Sequence, residues 1–261
     1  MNRMTPETVR RAKGQGVTAV TAYDYPTARL LDEAGVEVLL VGDSLGMVVL
    51  GLPDTTGVVL EDILHHVRAV HRGVSRSLVV ADLPINTYNS PREAALNAQK
   101  LADAGAHAVK LEGGQSKSEQ IRAITKSGIA VMGHIGMLPQ HIREEGGYHL
   151  KGKTDAEKQF LLDEAKAVEE AGAFAVVLEL VRSGVAGEIT RAISIPTIGI
   201  GSGSECDGQI LVFHDLVGYS PWFIPKHVQP QAKVGEEIIR AAKAFISGVK
   251  KPSASRIANS Q

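Results

Sequence analysis

The sequence predicts a single (βα)8 TIM barrel with an extra helix at its N-terminus. Apolar runs of strand length alternate with helical segments along most of its 261 residues, and strand after strand ends on a charged side chain. Alternation of this kind is typical of parallel βα units, and barrels of this length are commonly undivided. A doubly wound open sheet is the alternative that the alternation leaves open.

Three stretches repeat one local pattern. Each ends a helix on Ala-Gly, continues as an apolar strand, and reaches a carboxylate seven or eight residues after the glycine. Glycine at that position permits the left-handed conformation that ends a helix. The stretches are DEAGVEVLLVGD (32–43), ADAGAHAVKLEG (102–113) and EEAGAFAVVLEL (169–180).

Extended along the chain, the pattern predicts seven strands and seven helices. The predicted strands are 17–23, 36–42, 77–82, 106–112, 129–134, 173–179 and 195–200, with an eighth, ambiguous strand within 208–215. The predicted helices are 25–34, 60–72, 91–104, 117–127, 155–171, 185–193 and 234–247.

Two helix starts carry explicit capping signals. Ser90 precedes Pro91, and Thr154 precedes Asp155, the arrangements expected of N-cap residues. No linker divides the chain, so residues 1–246 are predicted to form one catalytic barrel domain. The polar tail 247–261 contains Pro and Ser and is predicted to be disordered.

Composition restricts the class of protein. The 28 basic and 29 acidic residues nearly cancel, which argues against a nucleic-acid partner. No apolar run approaches the length of a membrane span, and the N-terminal segment lacks a secretory apolar stretch. The single cysteine, Cys206, excludes an intrachain disulfide and a cysteine-cluster metal site. A soluble cytoplasmic protein is therefore expected.

Charged residues are concentrated at the predicted carboxyl ends of the strands. Alternation places Lys110 and Glu112 on the same side of their strand, and His134 ends the next one. In a barrel these ends converge on the active site. One such acid is usually a helix cap, but five require a compensating cation, for which Mg²⁺ is the expected choice. The five acids are Asp24, Asp43, Asp82, Glu112 and Glu179.

Several motifs resemble the ketopantoate hydroxymethyltransferase family over residues 4–246. The family is a (βα)8 barrel related to phosphoenolpyruvate mutase and isocitrate lyase. The motifs that carry the likeness include VGDSLGMVVLG (41–51), VVADLP (79–84), VKLEGG (109–114), GHIGMLPQ (133–140) and IGIGSGSECDGQILVFHDLVG (198–218).

The resemblance implies a reaction and its partners. It implies transfer of a hydroxymethyl group from 5,10-methylenetetrahydrofolate to 3-methyl-2-oxobutanoate, through an enolate stabilised by Mg²⁺, on the route to pantothenate. It also implies a homo-oligomer, with a decamer of two stacked pentameric rings as the expected form.

The same resemblance implies roles for individual residues. Asp43 and Asp82 would ligate Mg²⁺, with Glu112 joining the metal site. Glu179 matches the proton acceptor. The residues expected to contact the keto acid are Asp43, Ser44, Asp82, Lys110 and His134. Asp24 has no role in the family pattern.

The chain departs from the family pattern outside these positions. Arg182, Ser183 and Gly184 stand where the family commonly has Pro-x-Glu, which bears on loop geometry near the pocket. Two other functions are considered: a Mg²⁺-dependent oxo-acid lyase or mutase of the same superfamily, and a catalytically silent barrel. The chain lacks the Lys-x-Cys-Gly motif common in the former. The retained acids, lysine and histidine argue against the latter, because unused buried charge is destabilising.

Overall fold

Eight parallel strands close into a barrel in the order of the sequence. The computed structural model describes residues 3–221 and 224–250. Each strand pairs with its neighbours along the chain, and β1 pairs with β8 to close the ring. The strands are β1 Val17–Thr21, β2 Val38–Val41, β3 Leu78–Asp82, β4 Ala108–Glu112, β5 Ala130–Gly136, β6 Ala175–Glu179, β7 Thr197–Ile200 and β8 Gly208–Leu211. The barrel prediction, including the ambiguous eighth strand, is confirmed.

All seven predicted helices are present, with ends within about three residues of the predicted ones. Three helices of only four residues each, Leu45–Val48 (α3), Ile142–Glu145 (α7) and Phe213–Leu216 (α10), have no periodic signal in the sequence and were not predicted. The helices are α1 Pro6–Arg11, α2 Tyr25–Ala34, α3 Leu45–Val48, α4 Leu60–Gly73, α5 Pro91–Asp103, α6 Ser118–Lys126, α7 Ile142–Glu145, α8 Asp155–Glu170, α9 Ser183–Ala192, α10 Phe213–Leu216 and α11 Val234–Lys250.

The predicted caps are also present. The Ser90 hydroxyl accepts from Glu93 N at 3.2 Å, and the Thr154 hydroxyl accepts from Glu157 N at 3.2 Å. Each bond satisfies one of the free N–H groups of a first turn. These contacts fix where α5 and α8 begin.

Inward-facing apolar side chains fill the barrel. Alternate residues of β1 and β2, such as Val17 and Ala19 on one and Val38 and Leu40 on the other, join one buried cluster. Val9 of α1 belongs to the same cluster and is fully buried, with Met4 and Ala12 packed against it. The predicted extra N-terminal helix therefore completes the apolar core, and polar chemistry is left to the carboxyl ends of the strands.

Residues from Phe213 onward form a second structural unit, with the first comprising residues 1–212. Within the second unit, Gly235 N and Val234 N donate to Gly218 O and Val217 O, both at 3.0 Å, so the start of α11 is tied to the segment after α10. Helix α11 runs to Lys250, three residues beyond its predicted end, because Ile246 and Val249 continue its apolar spacing. Residues 247–250, assigned to the tail by sequence, are thus helical. The rest of the predicted tail, 251–261, lies outside the described residues.

Candidate active site

Strand register brings the charged side chains together at the carboxyl ends of the strands, here called the barrel mouth. Asp82 is paired in register with Lys110, and Glu112 is paired with His134. Glu179 is paired with Gly136, two residues beyond that histidine. The side chains of Asp82, Glu112, Lys110 and His134 are each no more than 5% exposed. The sequence prediction that these strand ends converge is confirmed.

Ion pairs link the cluster from strand to strand. Lys110 Nζ lies 2.7 Å from Asp82 Oδ1 and 3.4 Å from His134 Nδ1. His134 lies between two carboxylates, with Nδ1 3.5 Å from Glu112 Oε1 and Nε2 3.2 Å from Glu179 Oε2. The Glu179 side chain keeps 15% exposure, against 1% for Glu112 and 2% for Asp82. Among the carboxylates of this chain of ion pairs, Glu179 is the one most accessible to a substrate.

Backbone and amide donors hold one carboxylate oxygen of each of three buried acids, Asp43, Asp82 and Glu112. Asp43 N donates to Asp82 Oδ2 at 3.0 Å. Gln140 donates twice, from Nε2 to Asp43 Oδ2 at 2.7 Å and from its backbone N to Glu112 Oε2 at 3.1 Å. Glu112 Oε1 is buried and has no hydrogen bond within the described part of the chain, with His134 Nδ1 3.5 Å away, whereas Asp82 Oδ1 is paired with Lys110 Nζ.

Burial and mutual charge shift the ionisation of the acids. Burial, reinforced by Asp82 and Glu112, raises the pKa of Asp43 well above its ordinary value. Burial also raises the pKa of Asp82, although Lys110 opposes the shift. Burial acts to raise the pKa of Glu112, but its contact with His134 outweighs burial and lowers it. Burial therefore makes ionisation of both aspartates unfavourable unless a cation lies beside them.

His134 and Lys110 are the cations of the cluster. Burial and the charge of Lys110 act to lower the pKa of His134, but its contacts with Glu112 and Glu179 outweigh them and raise it to about 9. Burial likewise opposes the charge on Lys110, yet Asp82, Glu112 and Asp43 together raise the pKa of its ammonium group. Both groups therefore carry positive charge at neutral pH.

The residues present fit a hard divalent ion. No group of three or more His, Cys, Asp or Glu side chains within the ranges 3–221 and 224–250 is placed so that the group alone could hold a metal ion. Mg²⁺ does not require one, since it usually takes one or two carboxylates together with waters and substrate oxygens. Such an ion would relieve the raised pKa values of Asp43 and Asp82 and would give Glu112 Oε1 a partner.

Ser44 lies beside this cluster and is held by a residue that sequence reasoning missed. Tyr23 OH and Ser44 Oγ are 2.8 Å apart, and the tyrosine is 3% exposed. Burial raises the pKa of Tyr23, so its hydroxyl stays protonated. The tyrosine follows β1 immediately after Ala22, so its place at a strand end was available in the sequence.

A strap, residues 138–151, follows β5 and is attached at three points. Gln140 contacts the acids inside the mouth. Arg143 pairs with Asp54 at 2.9 and 3.2 Å. Lys151 forms an isolated bridge with Val181, with Lys151 N donating to Leu180 O at 2.7 Å. The strap therefore connects the acids of the mouth with the backbone that follows Glu179.

The sequence-predicted residues separate into two groups. Contacts join Asp43 and five others into one cluster, whereas Asp24 is the N-cap of α2 and accepts from Thr27 N at 2.8 Å. Asp24 therefore has the capping role that a strand-terminal acid most often has. The five others are Asp82, Lys110, Glu112, His134 and Glu179. Tyr23, Tyr88 and Gln140 were not predicted; Gln140 ends the GHIGMLPQ motif, which was its only signal.

Fold and site together define a (βα)8 barrel with a cluster of acids at its mouth. The barrel is similar to phosphonopyruvate hydrolase solved with oxalate and Mg²⁺, with a TM-score of 0.63 and 18% identity over 97% of this chain and 94% of that one. It is also similar to phosphoenolpyruvate phosphomutase from Streptomyces platensis subsp. rosaceus, with a TM-score of 0.65 and 15% identity over 96% and 90% of the two chains. At such identities the likeness establishes the fold.

The chain belongs to the ketopantoate hydroxymethyltransferase family, whose sequence profile matches residues 3–253. It is 50% identical over 252 residues to the 3-methyl-2-oxobutanoate hydroxymethyltransferase of Syntrophus aciditrophicus, covering 95% of this chain and 93% of that protein. It is 52% identical over 240 residues to the protein of the same name from Pyrobaculum aerophilum, covering 91% of each. No helix within the described ranges is both long and apolar enough to cross a membrane.

Proposed function

We propose that this chain transfers a hydroxymethyl group from 5,10-methylenetetrahydrofolate to 3-methyl-2-oxobutanoate, giving 2-dehydropantoate and tetrahydrofolate. Family membership supports the reaction. The observation that carries it is the arrangement of the mouth, where Glu179 keeps access to substrate beside a buried group of acids and cations. Such a group suits abstraction of a proton next to a carbonyl.

Glu179 acts as the base in this proposal. Its Oε2 lies 3.2 Å from His134 Nε2, so the imidazole ring faces the carboxylate at ion-pair distance. The base takes the proton from C3 of the keto acid. Water adds to the methylene carbon of the folate and both of its C–N bonds break, which releases tetrahydrofolate and a carbon at the formaldehyde level. The enolate carbon forms a bond to that carbon, whose oxygen takes up a proton and becomes the new hydroxyl group. His134 has the role of holding the carboxylate in place and does not accept the C3 proton.

Asp43, Asp82 and Glu112 would hold Mg²⁺ in this proposal. When bound, the ion polarises the 2-oxo group and stabilises negative charge on its oxygen. The protein keeps the acids in place through donors to one oxygen of each, and Glu112 Oε1 has no hydrogen bond among the described residues.

Lys110 and Ser44 would bind the keto acid. An ammonium group has three N–H donors, so pairing with Asp82 leaves donor capacity for a substrate carboxylate. The Ser44 hydroxyl is oriented by Tyr23. These contacts would orient C3 towards Glu179.

The folate would enter from the side of the strap. A cavity of about 840 Å³ lies there, within the range of volumes typical for small-molecule sites. Its lining includes Gly113, which follows Glu112, and Gly136, which is paired in register with Glu179, so the cavity adjoins two strand ends of the barrel mouth.

The assembly and location of the protein also belong to this proposal. We expect a cytoplasmic homo-oligomer, with a decamer as the preferred form, because family members form large rings. Sedimentation velocity at micromolar concentration measures the assembly directly, and a monomer there contradicts it.

Isotope exchange tests the chemistry. In D₂O with Mg²⁺ and no folate, the protein should exchange the C3 hydrogen of 3-methyl-2-oxobutanoate, which proton NMR detects as collapse of the methyl doublet. Glu179→Gln keeps the shape of the side chain but removes the base, so exchange should fall about 10²–10⁴-fold. His134→Gln is the matched comparison and should exchange more slowly while keeping measurable activity. Exchange by Glu179→Gln at the parent rate would assign the base elsewhere.

A further inference from the structure

Gln140 is a buried residue for which the proposed reaction has no role. It is 2% exposed and belongs to a short 3-10 helix, Pro139–His141, at the start of the strap. Its side chain and backbone make contacts with four residues. Those residues are Asp43, Leu83, Tyr88 and Glu112.

The contacts fix which way the Gln140 amide faces. Leu83 O, 3.1 Å away, can only accept a hydrogen bond, so the amide nitrogen must face it. The same nitrogen donates to Asp43 Oδ2 at 2.7 Å, which uses both of its hydrogens. The amide oxygen then faces Tyr88, whose hydroxyl donates to it. Tyr88 therefore secures the orientation of the amide.

One residue thus holds acids from two strands. The side chain of Gln140 holds Asp43, which follows β2, and its backbone N holds Glu112 at the end of β4. Asp43 N in turn holds Asp82 at the end of β3. The positions of all three acids depend on Gln140 either directly or through one further bond.

We infer that Gln140 is a positioning residue that sets the affinity of the three-acid site for a divalent cation, and that Tyr88 holds Gln140 in the required orientation. The three acids repel one another. The hydrogen bonds that Gln140 donates to Asp43 and Glu112 oppose this repulsion and keep the two carboxylates close together. Without the side-chain donor, Asp43 Oδ2 is left buried and unpaired, and the carboxylate turns towards other partners. The inference rests on the proposed assignment of these acids to the metal site.

Three variants separate positioning from general damage to the core. Gln140→Met keeps the length of the side chain and removes its donors and acceptor. Tyr88→Phe removes only the hydroxyl that holds the amide. Gln120→Met is the control, because Gln120 is also buried, at 7% exposure, and donates at 3.4 Å to the backbone oxygens of Tyr88 and Asn89 but to no acid.

The first measurement is affinity for Mn²⁺, titrated in the full-length protein without substrate. Ligand-supporting residues of this kind change metal affinity by about 10–100-fold. Gln140→Met should therefore bind Mn²⁺ about 10–100-fold more weakly than the parent, Tyr88→Phe should be weakened less, and Gln120→Met should match the parent. Urea unfolding of each variant reports any general loss of stability.

The second measurement is the dependence of C3–H exchange on metal concentration. A positioning role predicts that excess Mg²⁺ restores much of the exchange rate of Gln140→Met, which damage to the fold would not allow. Parent-like Mn²⁺ affinity in a folded Gln140→Met overturns the inference. If that variant does not fold, parent-like affinity in Tyr88→Phe overturns it. Mn²⁺ binding needs no turnover, so absence of exchange in the parent would contradict the proposed reaction and leave this test intact.

Discussion

Replacing Gly136 by alanine should impair both stability and proton abstraction, because of where this glycine lies against β6. Its φ is +99°, a conformation that residues with a side chain rarely adopt. A Cβ there would lie 2.3 Å from Glu179 O and 2.9 Å from a Val181 methyl group. Gly136 thus permits the close approach that lets Met137 N donate to Glu179 O at 2.8 Å.

The expected size of the effect follows from these distances. The Glu179 oxygen would have to move by about 0.7 Å to reach 3.0 Å, the shortest distance that real Cβ atoms show. A 1 Å misplacement of a reacting group can reduce the rate about 10²-fold, so a loss of that order in C3–H exchange is expected. Left-handed backbone costs about 1–2 kcal/mol for a residue with a side chain, and overpacking adds about 1–3 kcal/mol.

Gly35→Ala is the matched control. Gly35 ends α2 with a φ of +89°, and no atom lies within 4 Å of a Cβ placed on it. This variant should lose only about 1–2 kcal/mol for the left-handed backbone, and keep the parent exchange rate. Urea unfolding and NMR-detected exchange measure both effects. If Gly136→Ala is as stable and as active as Gly35→Ala, the close approach of Gly136 to the backbone oxygen of Glu179 affects neither folding nor catalysis.

Three further predictions concern other parts of the barrel. Asp32→Ala should cost at least about 1–3 kcal/mol, because it leaves backbone donors in the turn before β3 without their acceptor. Burial acts to raise the pKa of Asp32, but those bonds hold it well below its ordinary value. The stabilisation that these hydrogen bonds provide is therefore complete above about pH 4 and is lost as the pH falls further. The difference in free energy of unfolding between the parent and Asp32→Ala, measured in urea, should accordingly become smaller in acid. Tyr23→Phe should raise KM for the keto acid with little change in urea stability, since it frees the Ser44 hydroxyl; unchanged KM would contradict the contact. Asp82→Ala should abolish exchange and also lower thermal stability, because Lys110 loses the partner at 2.7 Å, whereas adding Lys110→Met should restore stability without exchange.

The barrel and most of the acid cluster were predictable because both depend on local pattern. A strand buried on both faces is continuously apolar, and the carboxyl ends of parallel strands in a closed barrel converge on one mouth. Period-two alternation placed Lys110 and Glu112 on one side, and both are buried in contact with His134. Asp24 shares that local pattern but acts as a cap, since the following residues form a helix whose N–H it accepts.

The residues that sequence reasoning missed depend on contacts distant in the chain. Gln140 and Asp43 are 97 positions apart, and Tyr88 and Gln140 are 52 apart. A glutamine after a proline has no local feature that marks it as a buried donor. Its function follows from the path of the strap across the mouth, which only the folded chain reveals. The four-residue helices escaped prediction because they are too short for a periodic pattern.

Closure of the barrel by β1 and β8 has a consequence for synthesis on the ribosome. Val17 pairs with Gly208, so the first strand is complete roughly 190 residues before its last partner emerges. At a translation rate of about 5–20 residues per second, one edge of β1 remains unpaired for roughly 10–40 s before β8 is synthesised. Contacts of such large sequence separation also slow folding. The nascent chain therefore passes through an interval in which an apolar strand edge is open to wrong pairing, and that edge is protected only after β8 has been synthesised.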